Sequence, residues 1–152
     1  MSIEEKIKEL GINIPSSPKP VASYLPCVIV DNFIYVSGQL PIENGNLKYK
    51  GKVDNDNIEI GYNAAKLCVL NALGVVKDNL GTLDKVDRIV RVGGFVNSKE
   101  GFTMQPKVIN GASDLLVEIF GENGKHARVA VGVNELPLDA MVEVELIVKL
   151  KN

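Results

Sequence analysis

Apolar positions recur at spacings of three and four in three stretches of this chain, and they alternate with polar or small residues in five others. The first helical stretch spans residues 2–10: Ile3, Ile7 and Leu10 share a face, Ser2 and Glu5 have the spacing of a capping box, and Gly11 ends it. A longer one covers 58–79, where Ile60, Ala64, Leu67, Leu70, Leu73 and Val76 recur on one side and Gly81 follows. A third covers 106–120, with Pro106 in its first turn and Gly121 as its stop. Strand patterns fall at 27–30 and 33–37, joined by the two-residue turn Asp31-Asn32, then at 86–96, 128–133 and 141–148. Pro15-Ser16-Ser17-Pro18-Lys19-Pro20 sustains neither helix nor ladder and reads as an extended connector.

The predicted order is α, β, β, α, β, α, β, β, an α+β arrangement with a mixed β-sheet, two helices packed on one face and an extra N-terminal helix. One domain spans 1–152, with the N-terminal helix and connector as residues 1–19. The short turn 134–139 leaves no room for a helical crossover, so the last two strands are expected to pair antiparallel. By a period of two, Val129, Val131 and Val133 share one face, as do Val142, Val144, Leu146 and Val148, and both sets are expected to meet the core. Arg128 and Glu143 then belong to the opposite face, with Phe33, Tyr35, Ser37, Arg91, Phe95 and Ile147. That face is too aromatic to stay wet, which predicts a homo-oligomer that buries it. Gly93-Gly94 inside a strand suggests a bulge or close packing between subunits.

Length and composition narrow the class. At 152 residues, with 45% apolar and 24% charged residues, the chain suits one globular domain. A net charge of −2 argues against a nucleic-acid platform. No apolar run approaches the length of a membrane span, and the charged N-terminus is unlike a signal peptide, so a cytoplasmic protein is expected. Two cysteines, Cys27 and Cys68, and one histidine make neither a disulfide framework nor a zinc-ligand spacing, and no metal is expected.

Several residues could carry chemistry. Arg128 opens a strand among the small residues Ala127, Ala130 and Gly132, which leaves room for a carboxylate or phosphate on its fork; a salt bridge to Glu143 or Glu145 is the structural alternative. Glu143, held on a strand, is either a surface charge or, if buried, an acid–base group with a raised pKa. Ser37-Gly38-Gln39 ends a strand, and Gly38 permits a close backbone approach or an unusual turn. Tyr24, in the loop Tyr24-Leu25-Pro26, is a packing residue or a pocket hydroxyl. His126 reads as a loop residue more readily than as a catalyst, and both cysteines read as core thiols.

Tyr24, the run Val36-Ser37-Gly38-Gln39-Leu40-Pro41, Leu80-Gly81-Thr82-Leu83, Phe95-Val96, Asn110, Ala127-Arg128, Leu136-Pro137 and Val142-Glu143-Val144-Glu145 together resemble the Rid family of reactive-intermediate deaminases, also called YjgF and, in older naming, endoribonuclease L-PSP. The resemblance covers about residues 20–150. It implies a chorismate-mutase-like fold and a homotrimer with clefts between subunits. It also implies hydrolysis of 2-imino acids or their enamine tautomers to 2-oxo acids and ammonia, with no cofactor. In that reading Arg128 holds the carboxylate of a small metabolite and Glu143 handles the attacking water. Tyr24, Ser37, Gly38, Asn110 and the Ala130 position line the cleft. The enzymatic branch commonly carries a cysteine two residues after the arginine; Ala130 stands there, which marks a divergent subgroup. A binding or sensing module for a small carboxylate would use the same Arg128.

Overall fold

The computed structural model describes residues 1–17 and 22–152, so the Pro18-Lys19-Pro20 part of the expected connector lies outside the described residues. Helix α1 (Ile3–Glu9) starts on the predicted capping box: the Ser2 hydroxyl accepts from the Glu5 N–H at 3.1 Å, and the Glu5 carboxylate accepts from the Ser2 N–H at 2.8 Å. Strands β1 (Cys27–Val30) and β2 (Phe33–Gln39) form a hairpin about Asp31-Asn32, with Asp31 at φ 50°. Two short strands follow, β3 (Ile42–Glu43) and β4 (Asn46–Leu47), which the alternation pattern does not predict. Their signal is the turn dipeptide Asn44-Gly45, both at positive φ.

Helix α2 (Ile58–Leu80) ends on Gly81 in the left-handed region, as the stop signal predicts. Strand β5 (Val86–Asn97) leads to α3 (Gln105–Phe120), then β6 (Ala127–Val133) and β7 (Val142–Leu150). The main sheet has the order β1-β2-β7-β5-β6, antiparallel except for β5 and β6, which run parallel as the α3 crossover requires. Helices α2 and α3 both pack on one face. There Ala64, Cys68, Val69, Leu73 and Val76 of α2 and Ile109, Ala112 and Leu116 of α3 meet Ile34, Ile89, Val92, Val96, Val142, Val144, Leu146 and Val148 of the sheet, all buried.

The last two strands run in opposite directions but are not neighbours, because β5 lies between them. The eight-residue link 134–141 is long enough to step over the end of one strand, since two inter-strand spacings are only about 10 Å. Gly93 and Gly94 produce no register shift. They are required by close approach: a Cβ at Gly94 would lie 2.6 Å from Ile109, and one at Gly93 would lie 2.7 Å from the Glu145 side chain.

The largest departure from the periodicity reading is at β6. In the parallel register Arg128 pairs with buried Val92, Ala130 with Gly94, and Gly132 with buried Val96, so Arg128, Ala130 and Gly132 are on the helix-covered side. Val129, Val131 and Val133 face the open side, and Val131 is 39% exposed. The cause is space. A Cβ at Gly132 would meet the Gln105 amide at 2.6 Å and the Ser98 hydroxyl at 2.8 Å, so a side chain there would have to displace both polar groups at the start of α3. Gly132→Val would crowd them further.

Candidate functional site

Arg128 and Glu143, expected on one face, are divided between the two faces of the sheet. Arg128 lies under α3. Its Nη1 donates to Asn110 Oδ1 at 2.9 Å and to Ser113 Oγ at 3.0 Å, and its Nη2 donates to the Pro106 carbonyl at 3.3 Å. Asn110 and Ser113 are three apart on a helix and present one face to the guanidinium. Three of the five N–H groups are thus donated within the protomer, which leaves the Nε–H and one Nη2–H. The salt-bridge alternative does not form: Glu145 pairs with Arg91 at 3.3 Å on the open face.

Glu143 stands on the open face of β7, opposite Phe95 of β5. On the other flank, the pairing of β2 and β7 shifts between Val36 and Gln39, so Ser37-Gly38 forms a bulge. A Cβ at Gly38 would approach the Glu143 carboxyl carbon to 3.0 Å, and the bare backbone there is what lets the carboxylate lie against the strand. Burial pushes the Glu143 carboxyl above its usual range, and the charge of Glu145 two residues on adds to the rise. Ser37 donates from its hydroxyl to the Leu25 carbonyl at 2.6 Å and from its N–H to the Pro26 carbonyl at 2.9 Å. Those bonds hold the loop that carries Tyr24, which is 61% exposed.

The predicted residues therefore form two groups. Arg128, Asn110 and Ala130 belong to the helix-side edge; Glu143, Ser37, Gly38 and the Tyr24 loop belong to the open face and its rim. Ser113, the Pro106 carbonyl and His126 join the arginine group without having been singled out as site residues by the sequence. Their signal was spacing: Ser113 follows Asn110 by three on a helix, and His126 precedes Arg128 by two at the start of a strand. Among the described residues no group of three His, Cys, Asp or Glu side chains is placed to hold a metal ion.

The model of the YjgF/chorismate mutase-like family, whose description also carries the word endoribonuclease, matches residues 4–150. The chain belongs to this YjgF, or Rid, family. It is 40% identical over 152 residues to protein TCP17 of Trypanosoma cruzi, covering 99% of this chain and 95% of that one. It is 30% identical over 141 residues to a 2-iminobutanoate/2-iminopropanoate deaminase of Dermatophagoides farinae, covering 92% and 95%. Among solved structures, the Agrobacterium tumefaciens protein Atu1372, of unknown function, superposes with a TM-score of 0.90 at 44% identity, covering 98% of this chain and 92% of that one. The sheet with both long helices on one face is thus the chorismate-mutase-like fold of the YjgF family. Among the described residues no helix is long and apolar enough to cross a membrane.

In this YjgF family member the two groups differ in what they can do chemically. The helix-side group is a fixed cation with hydrogen-bond donors left over, suited to a carboxylate. The open-face group is a half-buried carboxyl whose raised pKa brings it nearer to proton exchange at neutral pH.

Proposed function

We propose that this chain hydrolyses 2-imino acids, or their enamine tautomers, to 2-oxo acids and ammonia, in clefts each built from two copies of the chain. The observation that carries the reading is the division of Arg128 and Glu143 between opposite faces of one sheet. A substrate small enough to be an imino acid cannot span the sheet, so an anchor and an acid–base that act together must come from different subunits. The open face offers the means of assembly. Tyr35 (46% exposed) and Val131 sit on it with Phe95 and Ile147, an apolar surface suited to a homotrimer with these faces inward.

In such a cleft the free N–H groups of Arg128 take the substrate carboxylate, and Asn110 and Ser113 keep the guanidinium in place. Glu143 of the facing subunit accepts a proton from water as the oxygen attacks the imine carbon. The C–O bond forms, the C=N π pair moves to nitrogen, and the carboxyl returns the proton to that nitrogen. Collapse of the carbinolamine then releases ammonia and the 2-oxo acid. An imine carbon is already electrophilic, so orientation and a proton shuttle suffice, and no cofactor is needed. The name of the Dermatophagoides farinae relative supports this reaction class. An imino acid generated in place by an amino-acid oxidase should lose ammonia faster with the protein present, and Arg128→Ala should abolish the gain. No acceleration across aliphatic and aromatic imino acids would rule the reaction out.

A second reading, a binding or sensing module for a small carboxylate, is favoured by Ala130, an inert side chain on the same side of β6 as Arg128. Calorimetry with 2-oxo acids separates the two. In a pure binding module Glu143→Gln leaves affinity intact and there is no turnover to lose.

A further inference from the structure

The mechanism above uses Arg128 and its contact with Ser113, but not the histidine behind that serine. Ser113 Oγ lies 2.8 Å from His126 Nε2, and His126 Nδ1 lies 2.6 Å from the Gly124 carbonyl. A carbonyl only accepts, so Nδ1 carries the proton and, in the neutral ring, Nε2 accepts. The Ser113 hydroxyl therefore donates to His126, which turns an oxygen lone pair toward Arg128 Nη1 at 3.0 Å. The direction of each bond is determined by its neighbour, from the Gly124 carbonyl to the guanidinium.

We infer that His126 and Ser113 are positioning residues for Arg128, forming a relay that holds the guanidinium in its anion-binding orientation only while the imidazole is neutral. The inference rests on the reading of Arg128 as the carboxylate anchor. Protonated His126 donates from Nε2 as well, so the serine hydroxyl proton loses its acceptor and an added positive charge faces Arg128 across one oxygen. Burial, the largest influence on His126, and the charge of Arg128 both lower its pKa; the Gly124 hydrogen bond opposes them. The relay is therefore intact at neutral pH and opens below the ordinary histidine range.

The other charged groups around it are accounted for. Lys125, next in the chain, pairs with Glu122 at 2.7 Å; Arg88 donates to the Lys125 carbonyl at 2.8 Å; Asp114, beside Ser113, accepts from the Tyr62 hydroxyl at 2.7 Å. Glu143 of a facing subunit also titrates upward of its usual range, so the comparison must be with a variant that differs only at His126.

His126 is the sole histidine and Arg128 one of three arginines, so both can be followed by nuclear magnetic resonance in the intact protein, with the Arg128 Nε–H assigned through Arg128→Lys. In the wild type the Arg128 signal should shift with the midpoint of the His126 ring. In His126→Gln, whose amide oxygen can still accept from Ser113, it should stay flat over the same range. The affinity for 2-oxobutanoate, used as probe, should weaken toward acid by about tenfold in the wild type, the lower end for one hydrogen bond to a charged group, and not in His126→Gln. Ser113→Ala should show the weakened affinity at neutral pH and no further dependence on His126.

The added charge alone would tighten anion binding, so tightening toward acid relative to His126→Gln overturns the relay. An Arg128 signal that ignores the titration of His126 overturns it too, whether or not the oxo acid binds. If Arg128 follows His126 while 2-oxobutanoate binds at no pH, the relay stands and the proposed function fails.

Discussion

At the scale of single residues, Glu143 shows how a functional group is made from burial and one bare backbone position. Its carboxyl lies half-buried against Gly38, where a Cβ would come to 3.0 Å of the carboxyl carbon and push it aside, and burial followed by the Glu145 charge raises its pKa. The sign of the stability effect follows. A carboxyl whose pKa is higher folded than unfolded favours the unfolded chain when ionised, so stability is diminished above the folded pKa and recovers as pH falls through it. Glu143→Gln should therefore melt at a higher temperature than the wild type at pH 7 to 8. The gap should close as pH falls toward the ordinary value of 4.5. In the proposed reaction the same variant should lose about 10²- to 10⁴-fold in kcat with little change in KM, the usual range for removing a general acid–base.

At the scale of elements, close approach of backbones decides what each helix can carry. Gly111 of α3 sits where a Cβ would lie 2.0 Å from the Tyr62 carbonyl of α2. In an exposed helix Gly→Ala gains about 1 kcal/mol of propensity, but here the added carbon must force two packed helices apart. Gly111→Ala should lower stability by about 1–3 kcal/mol in denaturant unfolding, the range for overpacking. Helix α1 depends on charge instead. Burial pushes the Glu4 carboxyl up, but the Leu83 N–H at 2.9 Å, Lys77 at 3.0 Å and Thr82 outweigh it and hold the group below its usual pKa. A lowered folded pKa means the stabilisation is complete above the unfolded value of 4.5 and lost as pH falls through the folded one. Hydrogen exchange in α1 should be faster in Glu4→Gln than in the wild type at pH 7, and the difference should shrink in acid. Capping box, helix stops and the hairpin were legible in sequence because each is a contact between residues close in the chain. The β3–β4 hairpin was missed, because strands of two residues are too short for alternation to register and the turn dipeptide Asn44-Gly45 was its signal.

At the scale of the whole molecule, the two faces of one sheet carry the two halves of the proposed chemistry, and this has a consequence for mixtures of variants. Arg128→Ala and Glu143→Gln, each inactive alone, should regain activity when their subunits are exchanged, because some clefts then receive Arg128 from one chain and Glu143 from another. Random exchange in a cyclic assembly gives about a quarter of the wild-type clefts. No recovery after demonstrated subunit exchange would contradict the shared cleft. The sequence by itself determined the three α-helices and five of the seven strands among the described residues, the core face of β7 and the family, since these follow from periodicity, caps and residues read in order. Only the tertiary structure decided that β7 lies inside β5 and that β6 forms the edge beyond it, with Ala130 and Gly132 beneath α3 and the valines turned outward. Alternation says which residues share a face, but at an edge strand where both sets are apolar or small, the space left by the covering helix selects the face. That selection sends Arg128 one way and Glu143 the other.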